Sequence, residues 1–183
     1  IVPDAGTVRL GSTPLPFGDP TATGRLGVSC VHQGFTLVPD LSVAENIFLG
    51  RERGRVWLRR NEMNRAARAL LDDLGLGILP AVRVRELSVA QQQLVEVARA
   101  LADDARVLIL DEPTAPLAGP EIDRLFEILL RLRARGLGVI YISHRLDEIF
   151  RIADRITVLR DGRVAGTSRP QEITRGDLIR QMV

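Results

Sequence analysis

The feature that most constrains this chain is a set of short runs apolar at nearly every position. "VLIL" (107–110) and "GVIYIS" (138–143) do not alternate with polar residues. A strand with one wet face alternates; a strand without alternation suits a sheet buried on both faces. Between them "PEIDRLFEILLRLRARG" (120–136) has helical spacing, with Pro120 in its first turn and Gly136 past its end. Apolar strands separated by helices predict an α/β fold, with a mostly parallel sheet flanked by helices.

The rest of the chain fits that scheme. "AGTVRLGSTP" (5–14) reads as strand and turn punctuated by Gly6 and Gly11, 13–24 as a Pro/Gly/Thr-rich loop, and "LGVSCVHQ" (26–33) as a further strand. The middle turns helical at 41–50 and 61–75, with Asn61 as N-cap and Gly75 as stop, and again at "LSVAQQQLVEVARAL" (87–101). The charged connector 51–60 holds Trp57, read as an anchor packed on the helices. After the second apolar strand come a helix (145–153), a strand (155–160), a hairpin turn (161–166) and a closing helix (170–182). This predicts three parts: a strand-rich stretch 1–40, a helical part 41–101 and a core part 102–183.

Composition narrows the partners. All 25 basic residues are Arg, and 23 acids nearly balance them. With aromatics at 4%, the clustered basic and aromatic surface of a nucleic-acid binder is not expected. Cys30, the single cysteine, reads as a small core residue in a reducing compartment. No apolar run approaches the roughly 18 residues that cross a bilayer. The chain opens on Ile1 and not Met, which reads as a piece of a longer protein.

Ligands gather at the carboxyl ends of strands in such sheets. Three groups fall there: Gln33, the pair Asp111–Glu112, and His144. Their chemistry suits phosphoryl transfer to water. Mg²⁺ takes oxygen ligands and keeps several waters, so one carboxylate, Asp111, is enough. Glu112 can accept the proton of an attacking water, and Pro113 turns it out of the strand. His144 can hydrogen-bond a γ-phosphate, and Gln33 can reach metal or water. An acid pair also caps turns and a lone His is also structural; it is the conjunction that favours a site. Neighbouring His32 gains no such support. In "LSVAQQQ", Ser88 and Gln91 form a capping box at a helix start. The same free N–H groups and helix dipole make an anion site.

With these residues in view the chain resembles the nucleotide-binding domain of an ABC transporter. "LSVAQQQ" resembles the signature usually written LSGGQ, "VLILDEPT" the Walker B segment, "CVHQ" the Q-loop, "APLA" the D-loop and "YISHRLDE" the switch-histidine segment. The resemblance covers nearly the whole chain, and is most like the first of two tandem domains in monosaccharide importers of the ribose, xylose and galactose kind. It implies a P-loop NTPase core plus a helical subdomain, ATP with Mg²⁺ as cofactors, and ATP hydrolysis driving sugar import. Glu112, His144 and Gln33 would be catalytic, Asp111 and Gln33 would face the metal, and Ser88, Ala90 and Gln91 would contact nucleotide held by an opposing domain. Partners would be transmembrane permease subunits, a second nucleotide-binding domain and, indirectly, a sugar-binding protein, at the cytoplasmic face of a bacterial membrane. The departures are the phosphate loop with its Lys, expected to precede this stretch; Val89 and Ala90 in place of two glycines; and Ala118 in place of an acid. The alternatives are a shortened, non-hydrolysing domain serving as a binding or dimerisation scaffold, and a soluble ATPase of this type without a membrane partner.

Overall fold

A tight turn at Gly11, φ +61°, joins strands β1 (Arg9–Leu10) and β2 (Thr13–Pro14) in an antiparallel pair. The computed structural model describes residues 3–34, 36–50 and 60–183, so Trp57 and the connector expected around it lie outside the described residues. The chain divides into two units, Ile1–Ile140 and Tyr141–Val183.

In the first unit the expected loop 13–24 is interrupted by structure. Beyond β2 it contains helix α1 (Pro20–Arg25), started by Asp19, whose side chain accepts from the Ala22 N–H at 2.8 Å, and by Pro20 in the first turn. Capping and a preset proline φ outweigh the loop-like composition. Strand β3 (Val28–Val31) follows Gly27, where an added Cβ would lie 3.0 Å from Arg106 Cγ and 3.2 Å from the Asp104 carbonyl oxygen. Only glycine lets β3 start that close to the chain entering the next strand.

Three helices build the largest core. Helix α2 (Val43–Phe48) starts at Ser42, which exchanges capping bonds with Glu45. Helix α3 (Arg60–Asp73) is already helical at Arg60, so Asn61 lies inside it and is not its N-cap. Its stop is the expected one: Gly75 has φ +70°, and the Leu76 N–H reaches back to the Leu71 carbonyl at 2.7 Å. Helix α4 (Val89–Leu101) begins at Ser88. Val43, Ile47, Ala67, Leu71, Val95 and Ala98 close this core.

The apolar run at 107–110 forms strand β4 (Val107–Asp111), parallel to β3 with Val31 opposite Leu110. Helix α5 (Gly119–Ala134) sends Ile128 into the helical core. Arg124 and Arg131 donate to the Gly75 and Leu74 carbonyls at 2.6 and 2.9 Å, serving the open C-terminus of α3. Strand β5 (Gly138–Ile142) completes a sheet of order β3-β4-β5.

Two expectations about this sheet need correction. Leu108 and Leu110 are fully buried, but Ile140 and Ile142 remain 51% and 47% exposed, so β5 is not covered on both faces. Apolar runs report what a strand is suited to, not what packs on it. Cys30, paired with Ile109, is exposed and not a core residue.

In the second unit helix α6 (Leu146–Ile152) leads into a hairpin of β6 (Ile156–Arg160) and β7 (Arg163–Ser168), turned by Asp161 and Gly162 at φ +50° and +73°. The single closing helix expected at 170–182 is two elements, a 3₁₀ turn at Pro170–Glu172 and helix α7 (Arg175–Met182). Thr174 breaks the run because its side chain caps α7 by bonding the Asp177 N–H. Ile156, Val158 and Leu178 form this unit's core.

Candidate functional site

The register of β3 on β4 builds the site. Val31 lies opposite Leu110. Two residues further along each strand stand Gln33 and Glu112, and the Gln33 amide Nε2 donates to Glu112 Oε2 at 3.2 Å. Parallel pairing therefore brings together two groups 79 positions apart in sequence.

Glu112 sits in the left-handed region, φ +46°. A non-glycine residue there is uncommon, and such backbone persists only where its surroundings hold it. The holding is visible. β4 precedes it, buried Pro113 and Thr114 follow, and the Ala115 N–H bonds the Glu112 carbonyl at 3.2 Å. The turn re-aims the carboxylate away from the alternation of β4. Asp111, half-buried, ends β4 on the face shared by Ile109 and Cys30. The Cys30 thiol is raised above its ordinary value, first by partial desolvation and then by the Asp111 charge, and stays protonated at neutral pH.

Among the described residues no group of three or more His, Cys, Asp or Glu forms a metal cage. The donor set at this strand end is instead one carboxylate, Asp111, beside an amide and a second acid. That fits a hard, hydrated divalent cation which completes its shell with water and ligand oxygens, as Mg²⁺ does.

Ser88, Ala90 and Gln91 form a second locality, at the start of α4. The capping box is complete: the Gln91 N–H donates to Ser88 Oγ at 3.2 Å, and the Ser88 N–H to Gln91 Oε1 at 2.9 Å. Ala90 is buried, whereas Val89 is 47% exposed. The side chain standing outward at this helix start is thus Val89, and the Ala90 Cβ turns inward. Helix α5 starts differently. The Ala118 N–H donates to Glu121 Oε2 at 2.8 Å, but Ala118 has no side-chain acceptor to return the bond.

His144 belongs to the second unit, exposed just past the end of β5. The residues around it converge on buried Glu148, which accepts from Tyr141 Oη at 2.7 Å and Ser143 Oγ at 3.1 Å and pairs with Arg145 at 2.8 Å. Sequence reasoning missed Glu148; the available signal was the Arg145–Glu148 spacing in the first turn of a helix. It also missed Thr36, clamped by Glu96 and Arg99 of α4. There the signal was an acid within the apolar face of "LVEVARAL".

Known proteins resemble this chain in sequence and in fold. The family model described as ABC transporter matches residues 1–115. The chain is 51% identical to the ribose import ATP-binding protein RbsA 3 of Rubrobacter xylanophilus, over 99% of this chain and 37% of the relative. It is 49% identical to the ribose import ATP-binding protein RbsA 1 of Rhizobium meliloti, over 99% of this chain and 36% of that one. It spans little more than a third of the length of these relatives. Among solved structures, the ADP conformation of MJ1267, an ATP-binding cassette of an ABC transporter, superposes with a TM-score of 0.82 at 26% identity, over 94% of this chain and 72% of that chain. The strand-end acid pair, the glutamine beside it and the capped helix thus stand in a matched fold and a matched sequence, and the chain belongs to the ABC transporter family.

Proposed function

We propose that this chain is part of the ATP-hydrolysing subunit of an ABC importer for a monosaccharide of the ribose kind. One observation carries the reading: the hydrogen bond between Gln33 and Glu112 at the ends of β3 and β4. Two segments singled out separately for nucleotide chemistry meet there. The sugar class is supported by relatives named as ribose import ATP-binding proteins.

In this reading 1–40 carries the Q-loop, 41–101 is the helical subdomain ending in the signature helix, and 102–183 is the core. Asp111, with Gln33, would hold Mg²⁺. Bound there, that ion would supply positive charge against the phosphate charge of ATP. Glu112 is the base. A water attacks the γ-phosphorus, the bond to the β-γ bridging oxygen breaks, and the water's proton passes to the Glu112 carboxylate. The products are ADP and inorganic phosphate. Gln33, donating to Glu112 Oε2, orients that carboxylate; by the family resemblance, His144 would donate to the γ-phosphate. Ser88, Ala90 and Gln91 offer the N-terminus of α4 to nucleotide held by a second cassette. The partners are that cassette, permease subunits and, through them, a sugar-binding protein, at the cytoplasmic face of the membrane.

The test uses the intact importer subunit that contains this chain. Glu112→Gln is expected to slow hydrolysis about 10²–10⁴-fold, the range for a positioned base, with ATP binding kept. Asp111→Asn is expected to weaken Mg²⁺-dependent binding instead. Equal loss of binding in both variants, with no separate rate effect, would refute this division of roles.

A further inference from the structure

Glu96 lies on the inner face of α4, two turns beyond the capped start, and is only 7% exposed. A buried carboxylate is costly unless its oxygens are bonded. Here Thr36 serves one oxygen, and Arg99 Nη1 lies 3.9 Å from the other, Oε2. The Thr36 N–H donates to Glu96 Oε1 at 2.6 Å, and Thr36 Oγ1 donates to the same oxygen at 2.9 Å. One turn further on, Arg99 Nη1 donates to Thr36 Oγ1 at 2.9 Å and to the Thr36 carbonyl at 3.3 Å. Every polar group of Thr36 is thereby held by α4. The hold continues at Val38, whose N–H and carbonyl bond the buried Asn46 side chain at 2.7 and 3.0 Å.

Gln33 stands between this anchor and another. On one side β3 is fixed to β4 as far as Val31. On the other the chain is fixed again at Thr36. Gln33 stands two positions after Val31 and three before Thr36, so both anchors limit where its backbone can lie. We infer that Glu96 is a positioning residue for Gln33: by pinning Thr36 to α4 it sets how Gln33 meets Glu112, and it ties that contact to the helix whose N-terminus Ser88 caps. The inference rests on the functional reading above, because it needs Gln33 and Glu112 to act in hydrolysis.

The test is a pair of mutant cycles in the intact subunit, read as kcat and KM for ATP. Glu96→Ala is expected to lower kcat by about 10- to 100-fold, the scale of a small misplacement at a reacting centre, with KM changed less than about twofold. Glu96→Gln is expected to restore kcat to within about threefold, because its amide oxygen can accept both Thr36 bonds. In a Gln33→Ala background Glu96→Ala is expected to add less than about twofold, since its effect runs through Gln33. A Glu96→Ala protein at wild-type kcat overturns the inference, and so does the same fold loss in both backgrounds. If Glu96→Ala does not fold, Thr36→Val serves in the same cycle. It removes the hydroxyl bonds and leaves the N–H bond, with an expected loss of about threefold to tenfold that vanishes beside Gln33→Ala. A wild-type subunit that binds no ATP and hydrolyses none overturns the functional reading as well. A wild type that hydrolyses while the losses multiply overturns only the role of Glu96.

Discussion

The helical core and the three-stranded sheet both present apolar side chains for burial and end in different states. In the helical core Val43, Ile47, Ala67 and Leu71 are fully buried, and a polar side chain inside, Asn46, bonds Val38, Leu41 and Ser42. In the sheet the Leu108–Leu110 face is closed, while Ile140 and Ile142 lie open on β5. The difference teaches where the two regions get their definition. α2, α3 and α4 cover one another, so their periodic faces find partners locally. A strand has two faces, and apolar residues on both do not by themselves say what covers each. The candidate site draws on both regions: Glu112 hangs from the end of β4, and Gln33 lies between β3 and a clamp on α4.

The largest expected effect tests that contrast. Leu71→Ala removes a fully buried side chain from a closed core, and is expected to cost about 2–5 kcal/mol in denaturant unfolding. Ile140→Thr, on the open face, is expected to change stability by less than about 0.5 kcal/mol. Similar losses at the two positions would mean that the β5 face is covered as tightly as the helical core, and the comparison would fail.

A smaller effect separates two helix starts. α4 has both halves of its capping box, whereas α5 has only the Glu121 half. Ser88→Ala is expected to cost about 1 kcal/mol, and Ala118→Ser to gain up to about that much by supplying the missing acceptor. Thermal melts of the two variants should therefore shift in opposite directions. A neutral Ala118→Ser would show that the geometry before α5 does not suit a cap.

These contrasts mark what was legible in the sequence. The non-alternating runs and the helix between them announced β4, β5 and α5 because burial writes itself as pattern. Ser88 and Gln91 announced the start of α4 because a cap is a local code. Gln33 and Glu112 were legible as groups at strand ends, and the parallel register brings those two into hydrogen-bond contact. What stayed hidden was set by single bonds. Asp19 makes a helix of an expected loop, and Thr174 splits an expected helix by capping its second half. Glu96 and Thr36 are 60 positions apart, and no period or motif links them. The Glu112 backbone, at φ +46°, is equally silent, since nothing in Asp-Glu-Pro requires it.

The smallest expected effect concerns acid. Glu45 is held below the usual carboxylate range, first by the Ser42 hydroxyl and next by the Ser42 backbone N–H, at 2.7 and 2.8 Å. In the second unit Asp177 is lowered by the same pair of groups on Thr174. A carboxylate depressed in the folded state binds protons more readily when unfolded. Its stabilisation is present above the unfolded value, about 4.3 for Glu and 3.9 for Asp, and is lost as pH falls through the folded value. The melting temperature should thus be insensitive to these groups from pH 7 to about 5 and fall below about 4. Glu45→Gln keeps an oxygen for Ser42 but cannot titrate, so it should be slightly less stable at pH 7 and show a shallower fall in acid. Asp177→Asn should do the same in the second unit. If Glu45→Gln left the acid slope unchanged while Asp177→Asn flattened it, the helical core would be the region that tolerates loss of its cap.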